Sequence, residues 1–554
     1  MPDLSRWFPF LNWPRPDAAL LRGEAAAGLT VALVMVPQSV AYAGLAGMPL
    51  VTGLYAALLP PVLAVLFGSS TRLSVGPAAL TCVLVGASLT GLAAPASAEW
   101  VALAVWLALL SGVIQLALGM GGFAWLLNVV SAPVLTGFTQ AAALLIMASQ
   151  LPALTGFQGP LSALLELPAF APAFDFTAMA FGVASLVVLV LGKRWLPRWP
   201  TVVVVMALAA VASRFSGYST QGAVIGSLPS GLPIPYRPGL PTWNTLSTLL
   251  VPALVIALVS FLETASSAKI ESQRDGKRWD DNRDLMAQGL AKLASAFSGS
   301  FPTSTSFSRS AIALFAGART GWSTLATAAF VLLALLFFTP LLYHVPRAVL
   351  AAVVIAAVVG LLKPRAFAVL WRVDRVEAGT ALVTFGVTLL SAPRIYWGVL
   401  AGVLMGLAHF LHHRLHPRII EVGLHPDGSL RDRHLWRLPP LAPQLYAMRM
   451  DADLDFASAS AFERALTEHL AAHPATRHLC LFAQPISRID ATGVEVLGQV
   501  LSRVQTLGIT LHVSGMKLPV ETVLRKAGLL TEGPLLKLYR TDVDALQAFG
   551  RLGA

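Results

Sequence analysis

The stretch FPTSTSFSRSAIAL, residues 301–314, places an arginine, Arg309, among serines and threonines in a chain that is otherwise strongly apolar. Long apolar segments lie on both sides of it. An ionisable residue at membrane depth is rare and usually functional, because a charge is costly to bury in hydrocarbon. We therefore predict that Arg309 attracts an anion. The alternatives are that its side chain reaches the membrane interface or that it pairs with a carboxylate for packing.

The composition of the chain indicates a membrane protein that crosses the lipid bilayer many times. Of its 554 residues, 56% are hydrophobic and only 12% are charged, whereas soluble domains carry about 25% charged residues. The net charge of +11 is explained by basic loops such as KPR (363–365) and HHRLHPR (412–418), which the positive-inside rule places in the cytoplasm. These loops explain the charge better than nucleic-acid binding does, so no nucleic-acid partner is expected.

The chain is predicted to contain a cytoplasmic N-terminal lead-in (1–24), a transmembrane domain (25–411), a linker (412–432) and a C-terminal domain (433–554). Fourteen candidate spans lie near 25–44, 51–68, 75–92, 100–119, 123–150, 174–192, 200–213, 247–268, 284–299, 306–318, 322–343, 346–361, 377–390 and 395–411. Several are too short to cross a bilayer of about 30 Å as straight helices.

The short spans predict half-helices that meet near the middle of the membrane. LSVGPAALT (73–81) opens the third span and TSTSFSRSAI (303–312) opens the tenth, so the two segments correspond in a seven-plus-seven arrangement. Because seven is odd, the second half would be inverted relative to the first. Helix N-termini carry unpaired N–H groups and a partial positive charge, and two such ends would form an anion site. Gly76 permits close backbone approach, and Pro77 suits a first helical turn.

The eighth span, VPALVIALVSFLETASSAKIES (251–272), contains a glutamate, Glu263, in an otherwise apolar helix. Ser260, Glu263 and Ser267 share one helix face. A carboxylate at this depth must be protonated, paired or ion-bound. Glu263 could carry a proton, or with Ser267 it could hold Na⁺. The alternative is a static salt bridge with Arg309 or Lys269.

The first span contains VALVMVPQSVAYAGLAG (31–47). Pro37 is predicted to break or kink the helix. Gln38 and Tyr42 are four residues apart, so they share a face. Their side chains could donate hydrogen bonds to a substrate or hold neighbouring helices together.

Two stretches resemble the signatures of the SulP sulfate-permease family: PQSVAYAGLAGMPLVTGLYAALLPPVLAVLFGSSTRLSVGPAAL (37–80) and FPTSTSFSRSAI (301–312). The C-terminal region resembles a STAS domain. The resemblance implies a polytopic α-helical fold of fourteen segments in two inverted seven-segment repeats. It also implies uracil-permease-like core and gate domains, elevator-like alternating access, and often a homodimer. The location implied is the bacterial cytoplasmic (inner) membrane, with the N-terminus and STAS domain in the cytoplasm.

The resemblance also assigns site residues. Carried over by motif, the anion-binding residues are Gln38, Tyr42, Gly76, Pro77, Ala78, Ala79, Phe307, Ser308 and Arg309. The acidic position tied to cation coupling falls on Glu263, with Ser267 beside it. One departure is Ala78, because many family members have a threonine there.

The C-terminal region alternates strands and helices, which predicts a small α/β domain. LCLFAQ (479–484) and ITLHVSG (509–515) are predicted strands, and 488–508 and 517–530 are predicted helices. In the loop Asp490-Ala491-Thr492-Gly493, Ala491 stands where bacterial regulators of this class carry a phosphorylated serine. That switch is therefore not expected, and the domain is predicted to assist assembly or to bind a cytosolic partner.

These observations predict a secondary transporter that moves a small anion together with protons. The anion would be a dicarboxylate such as fumarate, or sulfate. The alternatives are a Na⁺-coupled bicarbonate symporter, an uncoupled anion exchanger or channel, and an anion sensor. No cofactor is expected beyond the coupling ion, which is H⁺ or, as the alternative, Na⁺. No enzyme is expected either, because the sequence contains no nucleotide loop, metal cluster or nucleophile–base pair.

Overall fold

The computed structural model describes residues 8–157, 174–195, 199–229 and 231–551. Residues 1–7 of the predicted lead-in and residues 552–554 of the predicted C-terminal domain lie outside the described residues. The chain divides into two compact units, with the division between Gly406 and Leu407.

The first unit is helical and contains one short pair of strands. Its strands are β1 (Val75–Gly76) and β2 (Ser304–Thr305). Its helices are α1 (Ala18–Leu45), α2 (Thr52–Ala56), α3 (Leu59–Phe67), α4 (Ala79–Leu89), α5 (Ala98–Met120), α6 (Ala132–Thr155), α7 (Phe176–Trp195), α8 (Thr201–Phe215), α9 (Tyr218–Gln221), α10 (Trp243–Asp275), α11 (Asp281–Phe297), α12 (Phe307–Phe315), α13 (Trp322–Leu333), α14 (Thr339–Leu342), α15 (Arg347–Val358), α16 (Arg365–Val373) and α17 (Arg375–Leu390). Helix α18 (Tyr396–Leu415) begins in the first unit and ends in the second. A π-helical segment, Ala334–Phe338, joins α13 to α14.

Six helical segments of the described chain are long and apolar enough to cross a membrane. They are Ala18–Leu45, Ala98–Met120, Ala132–Thr155, Trp243–Asp275, Trp322–Leu342 and Arg347–Val373. Shorter apolar helices lie at Thr52–Phe67, Ala79–Leu89, Phe176–Gly192 and Thr201–Phe215. Each predicted span corresponds to helical structure, so the predicted polytopic helical membrane fold is confirmed.

Two helices differ from the prediction. Helix α10 begins before the predicted eighth span and continues to Asp275, because a helix does not have to end where its apolar segment ends. Helix α16 was not predicted. It begins at Arg365 and buries none of its residues, and the basic stretch KPR (363–365) at its start indicated a loop in the sequence.

The predicted half-helices are joined by an antiparallel strand pair. Val75 pairs with Thr305, and Gly76 pairs with Ser304. Helices α4 and α12 begin a few residues after these strands, with 11 and 9 residues respectively. Helices of this length extend only about 14–17 Å at 1.5 Å per residue. Both are therefore too short to span a bilayer, as the sequence predicted.

Two buried carboxylates hold the loop that leads into β1. Asp284 Oδ1 accepts hydrogen bonds from the backbone N–H groups of Ser69 and Ser70 at 2.6 and 3.1 Å. Glu271 accepts from the backbone N–H of Thr71 at 3.0 Å and from Arg72 Nε at 3.2 Å. These contacts fix the loop to α10 and α11, and hence position β1 beside β2.

The second unit is a six-stranded sheet with helices. Its strands are β3 (Ile419–Leu424), β4 (Leu430–Asp432), β5 (Leu445–Met450), β6 (His478–Phe482), β7 (Thr510–Ser514) and β8 (Leu536–Tyr539), and its further helices are α19 (Ala459–Ala472), α20 (Ala491–Thr506), α21 (Leu518–Lys526) and α22 (Asp542–Gly550). The strand order is β4-β3-β5-β6-β7-β8. Strands β5 to β8 pair in parallel, whereas β3 is antiparallel to both neighbours. The predicted α/β domain is confirmed.

The segment predicted as a linker, 412–432, is not simply a connection. It contains the end of α18 and the two strands β3 and β4. Ile420 and Val422 are buried in a small apolar cluster with residues of β5 and β6. Strand β3 pairs with β5. Because β4 and a loop lie between β3 and β5 in the chain, the residues around β3 contain no signal of this pairing.

Candidate anion-binding site

Two helix N-termini form the centre of the candidate site. Helix α4 has Ala78 at its N-cap, which provides no side-chain cap. Within the described part of the chain, the N–H groups of residues 79–81 therefore have no hydrogen-bond partner. Helix α12 is capped by Ser306, whose Oγ accepts from Arg309 N at 3.4 Å. The uncapped end of α4 can thus donate to an anion.

Gly76 brings the backbone close to this centre. Its φ is +149°, a conformation that residues with a side chain rarely adopt. A Cβ at this position would lie 2.5 Å from Met35 Cε on α1. Glycine therefore lets β1 pass between α1 and β2 immediately before α4 begins.

Arg309 is fully buried behind the two helix ends, with 0% exposure. Its Nε donates to Ser74 Oγ at 3.2 Å, its Nη1 to Gln38 Oε1 at 3.2 Å and its Nη2 to the Pro77 carbonyl at 2.8 Å. The side chain does not reach an interface, and it forms no ion pair with a carboxylate of the described residues. Both alternatives considered from the sequence are therefore contradicted. The guanidinium is a fixed charge held by neutral acceptors.

The first span contributes two neighbours of this charge. Gln38 and Tyr42 are buried, at 7% and 5% exposure, and α1 continues through Pro37 to Leu45 without a break. Because Gln38 Oε1 accepts from Arg309, its amide nitrogen is left to donate elsewhere. No partner for that nitrogen exists among the residues the structure describes. Tyr42 lies one helical turn beyond Gln38 on α1.

The predicted residues at the start of α12 are open rather than buried. Phe307 is 53% exposed, and Ser308 is exposed beside it. Ser306 and Ser308 hydroxyls lie 3.3 Å apart. The structure therefore brings Gln38, Pro77 and Arg309 into direct contact and places Phe307 and Ser308 at the accessible edge.

Glu263 contacts both halves of the site. Its Oε2 accepts from Ser304 Oγ on β2 at 2.5 Å and from Thr81 Oγ1 on α4 at 3.4 Å. Within the described chain it forms no ion pair with Arg309 or with Lys269, whose Nζ lies 6.0 Å from the Trp279 ring centre. The static salt bridge considered from the sequence is thus absent there.

Ser267 lies one helical turn beyond Glu263, and it is buried. Its hydroxyl donates to the Glu263 backbone carbonyl at 3.1 Å. The hydroxyl hydrogen of Ser267 therefore bonds to its own helix rather than to the Glu263 carboxylate.

Sequence reasoning missed several polar residues around this carboxylate. Ser304 and Thr81 are the hydroxyl partners of Glu263, and Ser74 is a partner of Arg309. It also missed Lys292 of α11, which is fully buried and donates to Gln115 Oε1 at 2.8 Å. A signal for Lys292 existed, because it is a charge within a short apolar span, the same criterion that identified Arg309 and Glu263.

In the second unit, the loop that resembles a phosphorylation site is used as a helix cap. Asp490 Oδ1 accepts from Gly493 N at 2.9 Å, and its Oδ2 accepts from Phe456 N at 2.9 Å. These hydrogen bonds, with the one from Gly493 N contributing most, lower the pKa of the Asp490 carboxyl. Ala491 occupies the first position of α20 and has no hydroxyl.

A polytopic helical domain with an uncapped helix end, a fixed buried cation and a carboxylate held by hydroxyl groups has the architecture of a membrane anion transporter. The comparisons with known proteins agree. The model of the Sulfate permease family matches residues 21–384, and the STAS domain model matches residues 441–545. The chain belongs to the sulfate permease family and carries a C-terminal STAS domain.

Individual relatives are consistent with this assignment. A probable sulfate transporter of Mycobacterium tuberculosis is 31% identical over 538 residues, covering 96% of each chain. The structure of the murine Slc26a9 anion transporter in the inward-facing state superposes with a TM-score of 0.87 at 21% identity, covering 99% of this chain and 94% of that one. The transmembrane domain of the cyanobacterial bicarbonate transporter BicA gives a TM-score of 0.60 at 19% identity, covering 71% of this chain and 99% of that one. These two similarities establish the fold.

Proposed function

We propose that this protein is a proton-coupled symporter of a small anion in the cytoplasmic membrane, with sulfate as the first candidate and a dicarboxylate such as fumarate as the second. The observation that carries the proposal is the position of Glu263, whose carboxylate contacts both β2 and α4. Sulfate is placed before fumarate because the M. tuberculosis relative is named a probable sulfate transporter.

The anion would bind at the uncapped end of α4. The free N–H groups of residues 79–81 would donate to it, and the Gln38 amide nitrogen would add a side-chain donor. Arg309 would attract the anion through its charge and would hold Gln38 and Pro77 in place. Ala78 provides no hydroxyl to compete for the helix N–H groups, so the anion itself would act as the cap.

The proton would bind to Glu263. While the carboxylate is ionised, its charge repels an anion at the neighbouring helix end. Protonation removes this repulsion, so anion and proton would bind together. The Ser304 hydroxyl has a second acceptor, the Ser260 carbonyl, at 3.2 Å. We expect the hydroxyl to turn toward that carbonyl when Glu263 is protonated, which would transmit the protonation state to β2.

The surroundings of Glu263 favour a proton over Na⁺. Both partners of Oε2 are hydroxyl groups that donate hydrogen bonds to it, whereas Na⁺ requires several converging oxygen acceptors. The Ser267 hydroxyl is engaged with its own helix. Na⁺ coupling is therefore the second choice.

An elevator-like movement would carry this site across the membrane. The β1–β2 pair joins the two half-helices, and Asp284 and Glu271 tie the loop before β1 to α10 and α11. These elements would therefore move as one body. We further propose a homodimer in the inner membrane, with the N-terminus and the STAS domain in the cytoplasm and the STAS domain available to a cytosolic partner.

The test is uptake of radiolabelled sulfate and fumarate into proteoliposomes. We expect accumulation under an inward proton gradient, no accumulation without it, and no replacement of the proton gradient by a Na⁺ gradient. Accumulation of bicarbonate with Na⁺ alone would instead establish the alternative suggested by the bicarbonate transporter among the structural relatives. Flux without accumulation under any gradient would establish an uncoupled exchanger or channel.

A further inference from the structure

Lys292 is a second buried cation near the candidate site. Its side chain lies between α5 and α11, and it has 0% exposure. The helices are in close contact there, since a Cβ at Gly112 would lie 3.1 Å from Lys292 Cβ. In the described chain Lys292 has one hydrogen-bond partner, Gln115 Oε1 at 2.8 Å, and no ion pair. A lysine ammonium is expensive to bury unless its charge is balanced.

A chain of polar groups connects Lys292 to Glu263. Gln115 Nε2 donates to Ser260 Oγ at 3.0 Å and to the Ala257 carbonyl at 2.8 Å. Ser304 Oγ lies 2.5 Å from Glu263 Oε2 and 3.2 Å from the Ser260 carbonyl, so its single hydroxyl hydrogen can be donated to either acceptor. Lys292 and Glu263 therefore act as distant members of one network.

The network contains more basic than acidic side chains. Arg309 and Lys292 are buried basic residues with no ion pair among the described residues, and Glu263 is the carboxylate that the hydrogen-bonded chain joins to Lys292. With Lys292 protonated and Glu263 ionised, these three groups would carry one net positive charge. A proton on Glu263 raises this to two, which a doubly charged anion neutralises and a singly charged anion does not.

We propose that Lys292 is a specificity-determining residue that makes the site prefer doubly charged over singly charged anions. This inference rests on the proposed function, because it assumes that the anion binds at the α4 end. Lys292 would act through its charge from behind the site rather than by touching the anion. Gln115 would hold the ammonium in place, which makes Gln115 a positioning residue.

The expected size of the effect follows from Coulomb's law. An ammonium roughly 10 Å from the anion, at an effective dielectric constant near 20, favours each additional unit of negative charge by about tenfold. Loss of Lys292 should therefore lower the affinity ratio of sulfate to nitrate about tenfold, because sulfate loses two units of attraction and nitrate loses one.

The experiment measures anion binding to the purified full-length protein, by calorimetric titration with sulfate and separately with nitrate at one pH and ionic strength. The variants are Lys292→Met, whose unbranched side chain is one atom shorter and has no charge, and Lys292→Gln, which can still bond to Gln115. Lys292→Arg should retain the preference. The matched control is Lys269→Met, which removes an exposed lysine from α10.

We expect both neutral variants to lose the preference for sulfate about tenfold, while Lys292→Arg and Lys269→Met keep it. A ratio that stays within twofold of wild type in Lys292→Met or Lys292→Gln would overturn the inference. If neither neutral variant folds, the wild-type protein still tests it, because equal affinity for nitrate and sulfate would contradict it. Binding with the predicted ratios but without proteoliposome uptake would reject the transport proposal and leave the charge preference standing.

Discussion

Replacing Arg309 with methionine removes the fixed charge behind the helix ends while nearly preserving the volume of the side chain. The guanidinium is fully buried and donates three side-chain hydrogen bonds, at 2.8–3.2 Å. If an anion capping α4 lies roughly 6 Å from this charge, Coulomb's law with an effective dielectric constant near 20 gives about 3 kcal/mol per unit of anion charge. Loss of the charge should therefore raise the sulfate KM at least a hundredfold, since 1.4 kcal/mol is tenfold.

Arg309→Lys separates charge from geometry. Lysine keeps the positive charge but lacks the planar fork that reaches Ser74, Gln38 and Pro77 together. We expect a KM between those of wild type and Arg309→Met. The assay is initial-rate uptake of labelled sulfate into proteoliposomes, with reconstituted protein quantified for each variant.

The control is Arg319→Met, which removes an exposed arginine just after α12 and should leave the KM within twofold of wild type. A correctly folded Arg309→Met variant with wild-type KM and rate would refute the reasoning, because it would show that the buried charge does not act on the anion.

Three further predictions concern the framework of the site and the second unit. Gly76→Ala should abolish uptake, and so should the double variant with Met35→Ala, because removing the Met35 contact does not relieve the strain of a φ of +149°. Retained uptake in the single variant would contradict this prediction. Asp284→Asn should lower the melting temperature of the purified protein, because the carboxylate that binds the backbone N–H groups at 69–70 becomes a weaker acceptor; an unchanged melting temperature would show that the loop is held by other contacts. Burial, with smaller contributions from nearby His478 and Lys537, lowers the pKa of His512 to about 4. In the unfolded chain His512 binds a proton near pH 6.5, whereas in the folded domain it does not. The free energy of unfolding is therefore at its full value above pH 6.5 and falls by up to about 3 kcal/mol as the pH drops toward 4. Hydrogen exchange of β7, corrected for intrinsic rates, should show this loss in wild type and not in His512→Gln.

The sequence was sufficient to predict the half-helices and the central charges. Serine, glycine and proline at 73–81, and serine and threonine at 303–312, interrupt apolar segments that are too short to span a bilayer, and the structure places α4 and α12 there. Arg309 and Glu263 were identified because a charge within an apolar segment demands a physical explanation. Both signals are local, so one sequence contains them in full.

The contacts between these groups could not be predicted, because they join residues distant in the chain. The sequence offered Glu263 two cationic side chains, Arg309 and Lys269, whereas in the described residues its carboxylate accepts from two hydroxyl groups, Ser304 and Thr81. Strand β3 was assigned to a linker because its pairing partner, β5, lies further along the chain. In each case the deciding information was a tertiary contact rather than a local pattern.

The central claim is that anion and proton move together through Glu263. The measurement that tests it most directly uses proteoliposomes loaded with a pH-sensitive dye, with no proton gradient imposed, to which labelled sulfate is added outside with the membrane potential clamped. The account predicts internal acidification that rises in proportion to sulfate uptake in wild-type protein and disappears in Glu263→Gln. Sulfate uptake without acidification, or acidification that is unchanged in Glu263→Gln, would contradict it.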